Sequence, residues 1–237
     1  MRDKLRDKEH VRQRDNIPFR TASYPLLLIS YISMTHDDIH HIFRDPPVIP
    51  TKRLILRRML KSDYKDMYEY ACQEKVTRYL LWDVHDSEAY TYKYLQYIQS
   101  RYRSGEFFDW AIVVKDPDNP QGEPRHTAGK GKMIGTCGFT RFHYEHRAAE
   151  IGYVLNPAFW GMGIAPEAVS AVLRFGFTEL HLHRIEARYM AGNTASRRVM
   201  EKVGMTFEGI ARESMFVKGD FVSVGTCSIL RSEYFGR

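Results

Sequence analysis

Alternating and helical spacings of apolar residues divide the chain into strands and helices from about residue 50 onward. Arg53-Leu54-Ile55-Leu56-Arg57, which follows Pro46-Pro47 and Pro50, predicts a first strand with charged flanks and sets the start of a folded domain near residue 50. Ser62 precedes Tyr64, Met67, Tyr68, Ala71 and Cys72, whose i, i+3, i+4 spacing predicts an amphipathic helix. Ser87 opens another, with Leu95, Ile98 and Tyr102 on one stripe. Residues 110–114 and 133–142 predict two strands, joined by an 18-residue polar connector (115–132) that is long for a hairpin and expected to be mobile.

The second half is more regular. Residues 150–155 predict a strand that Asn156-Pro157 ends. Gly161-Met162-Gly163 then turns the chain into a helix with a stripe at Ala165, Ala168, Val169, Val172, Leu173, Gly176, Phe177 and Leu180. Residues 184–190 predict the next strand, and residues 193–203 a helix that Gly204 terminates. Residues 206–230 read as a hairpin turning at Lys218-Gly219-Asp220. Strand, glycine turn, helix and strand make a βαβ unit, whose crossover is expected to be right-handed with parallel strands.

With 237 residues, 43% of them apolar, the chain can bury one globular core with an appendage. Cys72, Cys137 and Cys227 are odd in number and hold no CxxC pair, which argues against a disulfide framework or a zinc site. No metal is expected, and the setting expected is reducing and cytoplasmic. The longest apolar run, residues 25–32, is well short of the roughly 18 residues of a membrane helix, and no signal-cleavage pattern follows it. A net charge of +6 could suggest nucleic acid. However, residues 1–60 hold 12 Lys/Arg against 7 Asp/Glu, and the remainder holds 23 against 22. Residues 1–49 are therefore expected to be a basic, partly disordered N-terminal extension and residues 50–237 the domain, with no direct nucleic-acid binding.

Ligands of βαβ units sit beyond the carboxyl ends of the strands. Two features meet there. Trp160-Gly161-Met162-Gly163-Ile164-Ala165 combines glycines that let the backbone curl with a helix N-terminus whose unpaired N–H groups suit an anion such as a pyrophosphate. Asn193-Thr194-Ala195-Ser196 opens the following helix at the same sheet edge. Separately, the first is a turn and Asn193 a helix cap; together they favour a phosphate-binding role over two unrelated local features.

These residues resemble a family. Glu150-Ile151-Gly152-Tyr153-Val154-Leu155-Asn156-Pro157, then Phe159-Trp160-Gly161-Met162-Gly163-Ile164-Ala165 and Glu167-Ala168, resemble the acyl-CoA signature of the GNAT superfamily of N-acyltransferases. Arg184-Ile185-Glu186-Ala187-Arg188, Asn193-Thr194-Ala195-Ser196 and Glu201-Lys202-Val203-Gly204-Met205 resemble its second motif in the RimJ/RimL branch. Thr51 to Arg57 resembles that branch's opening strand.

The resemblance covers about residue 50 to the end. It implies a mixed α+β fold, the GNAT acyl-CoA N-acyltransferase fold, with a central twisted mixed sheet of six to seven strands flanked by about four helices. It further implies acetyl-CoA as co-substrate, its pyrophosphate held by the backbone N–H groups of Gly161, Met162, Gly163, Ile164 and Ala165. Leu155 would pair with the pantetheine through its backbone, and Asn193 would bond it near the sulfur. The strand from Glu150 to Leu155 spans roughly 17 Å, about the length of a pantetheine arm. Trp160 stands where Arg or Gln is commonest, and Met200 where many relatives carry the Tyr that protonates the leaving thiolate. Ser196, one helical turn earlier, is then the candidate acid.

The reaction implied is direct attack of an amine on the thioester. A thiol leaving group with a pKa near about 8.5 needs little acid assistance, so one carboxylate could suffice. Glu150 is the first candidate base. Glu186 follows, read more readily as an ion pair with Arg188, and Glu213 is third. One weak base suits an α-amine, with a pKa near about 7.8, better than lysine at about 10.4. A protein N-terminus of the ribosomal-protein type is thus the first acceptor, with a small amine such as a polyamine or antibiotic as the alternative. Leu81-Trp82-Asp83-Val84-His85-Asp86-Ser87 would form the acceptor wall, Trp82 and His85 touching substrate and Asp83 and Asp86 attracting a cation. A non-catalytic acyl-CoA-binding module is the competing class, and the chain is expected as monomer or homodimer. Met34-Thr35-His36 introduces a short helix at residues 37–43, which suggests a functional start near Met34.

Overall fold

The structure, a computed structural model, describes residues 34–115 and 131–236. It begins with α1 (His36–Arg44), β1 (Ile49–Pro50), β2 (Leu54–Arg57), α2 (Tyr64–Ala71), α3 (Glu74–Thr77), α4 (Glu88–Ser104) and β3 (Phe108–Val114). There follow β4 (Met133–His143), β5 (Ala148–Leu155), α5 (Ile164–Thr178), β6 (Arg184–Met190), α6 (Thr194–Lys202), β7 (Thr206–Val217), β8 (Asp220–Leu230) and α7 (Arg231–Phe235). The strands form one mixed sheet in the order β1-β2-β3-β4-β5-β6-β8-β7, antiparallel except where β5 meets β6.

This is the α+β architecture expected. The described residues hold eight strands rather than six or seven, because Ile49 and Pro50 add a short edge to β2. They hold seven helices rather than about four, of which α3 and α7 are single turns of four and five residues. Strand alternation assigns each side chain to a layer. Trp110 and Ile112 enter a core with α1 and α5, whereas Ala111 and Val113 enter a second core with α2 and α4. On α2, Tyr70 rather than Cys72 takes the buried position.

The expected boundary at residue 50 falls inside the packed body. Thr35 and Asp38 form a capping box: Thr35 Oγ1 accepts from the Asp38 N–H at 3.2 Å, and Asp38 Oδ2 accepts from the Thr35 N–H at 2.9 Å. The helix so started buries Ile39 and Phe43 in the α5-side core. Phe43 lies edge-on to Phe108 and Trp110, with centroids 5.0 and 5.1 Å away. Helix α1 therefore packs into the same core as β3, β4 and α5. The expectations for residues 1–33 and for 116–130 of the connector lie outside the described residues.

Arg57 and Asp63 form a two-pronged pair under α2, Nη1 to Oδ2 and Nη2 to Oδ1, both at 2.8 Å, with the residues 8% and 5% exposed. Asp63 Oδ2 also accepts from the Leu60 N–H at 2.7 Å. Asp63→Ala would strand a buried guanidinium and an amide. We expect a loss of about 3–5 kcal/mol in unfolding free energy, read from the urea midpoint.

The feature that positions the site is the β5–β6 junction. The two strands pair in parallel only over Ala148↔Arg184, Ala149↔Ile185 and Glu150↔Glu186. Beyond that, β5 keeps to β4 as far as Leu155, and β6 keeps to β8 as far as Met190. The sheet thus opens into a wedge that starts at Glu150.

Candidate active site

A cavity of about 370 Å³ fills the wedge and continues over the sheet face beneath α2 and α4. Glu150, Asn193, Ser196, Trp82 and His85 all line it, so five expected site residues from three separate segments are brought together. Glu186 and Glu213 are not among the lining residues.

Glu150 stands at the wedge apex, its side chain 13% exposed. Arg188, two residues beyond the last β6 partner, reaches back so that its Nε and Nη2 both lie 2.8 Å from Glu150 Oε2. Oε1 takes no part in that pair. This corrects the ion pair expected between Glu186 and Arg188: Glu186 bonds Arg184 instead, at 3.0 Å, and Arg184 also grips Glu208 at 2.6 Å. The reason is the wedge. It leaves Arg188 facing an open edge with Glu150 across it, while Arg184 has carboxylates on either side. Glu208 hydrogen bonds hold the Arg184 charge firmly, and Arg184 and Ser228 in turn hold the Glu208 carboxyl down to about 2. Glu213 lies exposed at a β7 irregularity, its N–H donating to Ser223 Oγ at 3.0 Å.

Asn193 caps α6, Oδ1 accepting from the Ser196 N–H at 3.1 Å, and also lines the cavity. Ser196 is engaged by Tyr153, a residue the sequence did not single out. Tyr153 donates its phenol proton to the Ser196 carbonyl at 2.9 Å, and the two hydroxyl oxygens lie 2.8 Å apart. The two hydroxyls share a hydrogen bond in which either oxygen can be the donor. Burial pushes the Tyr153 phenol well above its ordinary value. Met200 is buried and lines the cavity beside this pair.

At the far end of β5, the Asn156 N–H bonds Ile134 O on β4 at 2.7 Å, so by alternation Tyr153 and Leu155 turn their backbone groups toward the wedge. Trp160 Nε1 donates to the Leu155 carbonyl at 2.8 Å. The indole therefore latches the turn to the strand end, leaving the Leu155 N–H facing the open edge. Gly161 and Gly163 have φ of +77° and +71°, which a side chain would strain. Nothing lies within 4 Å of the place a Gly161 Cβ would occupy. Gly163 caps α5 with no side-chain acceptor, leaving first-turn donors at Ile164 and Ala165.

A second anchor of this turn was read from the sequence only as part of the opening strand. Arg53 donates to the Met162 carbonyl at 2.8 Å and to Glu167 Oε2 at 2.7 Å, and Thr51 donates to Glu167 Oε1 at 2.6 Å. Burial pushes the Glu167 carboxyl up, but these hydrogen bonds outweigh it and hold it below its usual range. A cation thus stands beside the glycine turn at a position where Trp160 supplies none. Curled backbone, free helix donors and a neighbouring guanidinium fit a pyrophosphate.

On the opposite wall, His85 is buried, its N–H donating to Ala71 O at 3.0 Å and Nδ1 lying 2.8 Å from Thr91 Oγ1. Rings of Trp82, Tyr90 and Tyr94 surround it at 4.9–5.5 Å. Burial lowers its pKa, so at neutral pH it is uncharged. Asp83 is exposed and lies 3.5 Å from Lys218, which donates to Thr77 O at 2.9 Å and so pins the hairpin tip to this wall. Asp86 accepts from Ser87 Oγ. Asp109, on β3, also lines the cavity and was not foreseen.

Residues 53–206 match the family model described as acetyltransferase (GNAT) domain. Over 186 residues the chain is 33% identical to "Uncharacterized N-acetyltransferase p20" of Bacillus licheniformis, covering 78% of this chain and 97% of that protein. Over 105 residues it is 30% identical to a spermidine N(1)-acetyltransferase of Vibrio cholerae, 44% of this chain and 61% of that protein. A solved structure of RimL, a ribosomal L7/L12 alpha-N-protein acetyltransferase in complex with coenzyme A, superposes with a TM-score of 0.62. That match has 21% identity and covers 77% of this chain and 97% of RimL, a likeness of fold. With the wedge, the glycine turn and the family match in register, the chain belongs to the GNAT family and is an acyltransferase of the N-acetyltransferase type.

Proposed function

We propose that this chain transfers the acetyl group of acetyl-CoA to the primary amine of a small molecule bound in the cavity, by direct attack. The observation that carries this reading is the wedge, which joins the fitted pyrophosphate turn at one end to a carboxylate-bearing cavity at the other. Acetyl-CoA supplies the thioester carbon that the amine attacks. Gly161 to Ala165 and Arg53 would hold the pyrophosphate, and the backbone N–H of Leu155 and the edge of Tyr153 would align the arm. Asn193 would bond it near the sulfur.

Glu150 is the base in this reading, its Oε1 taking the proton of the attacking amine while Arg188 fixes Oε2. The Tyr153–Ser196 pair is a wall that shapes the thiol end. A thiolate of ordinary pKa, near about 8.5, leaves without an acid, which suits a site where Met200 offers none.

A volume of about 370 Å³ supports a small acceptor, and the pinned hairpin tip closes the outer wall. The Vibrio cholerae relative named for spermidine agrees with that. The second reading, a ribosomal-protein N-terminus, draws on the likeness to RimL and on the match between one weak base and an α-amine. Cytoplasmic location follows from either acceptor, and no helix among the described residues is long and apolar enough to cross a membrane. Thiol release measured side by side on spermidine, an aminoglycoside and ribosomal N-terminal peptides tests the reading. Turnover is expected with the small amines. Coenzyme A binding without thiol release on any of them would instead identify a non-catalytic acyl-CoA module.

A further inference from the structure

Among the described residues, three buried side-chain polar atoms have no hydrogen-bond partner: Tyr70 Oη, Asp109 Oδ1 and Tyr189 Oη. All three belong to residues that line the one cavity. Buried polar groups are nearly always paired, and an unpaired one is costly to keep. Their concentration on one cavity marks groups shaped for a ligand.

Asp109 is the chemically decisive one. It pairs with Gly138 on β4, which pairs with Gly152 on β5, so two glycines lie between it and the wedge. Its carboxyl group occupies the space above Gly138, where an added Cβ would sit 2.5 Å from Oδ1. Tyr102 secures the backbone below, donating to the Asp109 carbonyl at 2.7 Å. The titratable groups that face the carboxyl are Tyr70 from α2 and Tyr94 and Tyr102 from α4, all uncharged at neutral pH. Burial alone pushes Asp109 up to about 8. Glu150, by contrast, has its own arginine.

We propose that Asp109, with Tyr70 and Tyr94, forms a subsite for a second, cationic nitrogen of the acceptor, making diamines and related polyamines the preferred substrates. The subsite supplies what an ammonium group needs on leaving water: a carboxylate acceptor, a phenol oxygen and aromatic faces. The carboxyl group lies above Gly138, on the strand beside Gly152 of β5, so a second nitrogen held there stands apart from the one at the Glu150 apex and is joined to it by a flexible linker. This rests on the small-amine reading above and deepens it.

The full chain is tested on the matched pair butane-1,4-diamine and 1-aminobutane, by thiol release with acetyl-CoA and by calorimetric titration of each amine into the protein with coenzyme A bound. The wild type is expected to favour the diamine at least tenfold, in KM and in Kd alike. Asp109→Asn, which keeps the side-chain shape, is expected to bring that ratio close to one. Equal wild-type affinity for the two amines, or an undiminished preference in Asp109→Asn, would overturn the subsite. Diamine binding that depends on Asp109 without thiol release would uphold the subsite and refute acetyl transfer.

Discussion

Glu150→Gln is expected to lower kcat by roughly 10²–10⁴-fold at saturating acetyl-CoA and amine, the range a positioned general base contributes. The size of the effect follows from the site. Of the carboxyl groups lining the cavity, Glu150 alone stands at the apex where β5 and β6 part. Asp109 sits two strands away on β3, and Asp83 is exposed on the outer wall. Gln retains the shape and a hydrogen bond to Arg188, so the substitution removes the base with little disturbance of the wedge. Steady-state kcat in a thiol-release assay, with coenzyme A titration as a control for folding, gives the answer. Full turnover by the Gln variant would falsify the assignment.

Phe43→Ala is expected to cost about 3–5 kcal/mol of stability, the range for truncating a fully buried aromatic. The residue is 0% exposed and touches side chains from β3, β4 and α5. Were α1 a mere extension, the same substitution would shift stability by no more than about 0.5 kcal/mol. Urea unfolding of the full chain separates the two outcomes by their midpoints, with an unchanged slope showing that the denatured state is unaffected.

Most of the secondary structure was legible because it rests on local rules. The strand at residues 184–190 is Arg184–Met190 in the structure, and Lys218-Gly219 makes the hairpin turn expected, Lys218 with φ +52° and Gly219 with +90°. Ser87 and Asn193 cap the helices they were expected to open. Helix α1 was also foreseen, but its membership of the core was not: nine residues between an N-terminal stretch of mixed charge and a proline cluster give no local sign of what Phe43 will meet.

The candidate site was legible in part for the same reason. The glycine turn, Glu150, Asn193 and the acceptor wall are contiguous motifs. Asp109 is a single acid on the inward face of a strand whose other inward residues are Ala111 and Val113, and only the row of glycines on β4 and β5 reveals the space above it. Arg188 was paired with the wrong glutamate because strand alternation places Arg184, Glu186 and Arg188 on one face and cannot tell that the sheet splits between them.

That split has a mechanical meaning. Three residue pairs form the whole strand seam between β1–β5 and β6–β8, so the sheet is two plates, of five strands and of three, joined at one corner. Beyond that corner the inner edges of β5 and β6 have no strand partner, and of their backbone groups the Leu155 carbonyl is taken by Trp160. A molecule laid between them would complete the ladder as an inserted strand does, tying Glu150 and Tyr153 on the five-strand plate to Arg188 and Asn193 on the three-strand plate. In the proposed reading the co-substrate would thus be a structural strut between the plates as well as a reactant.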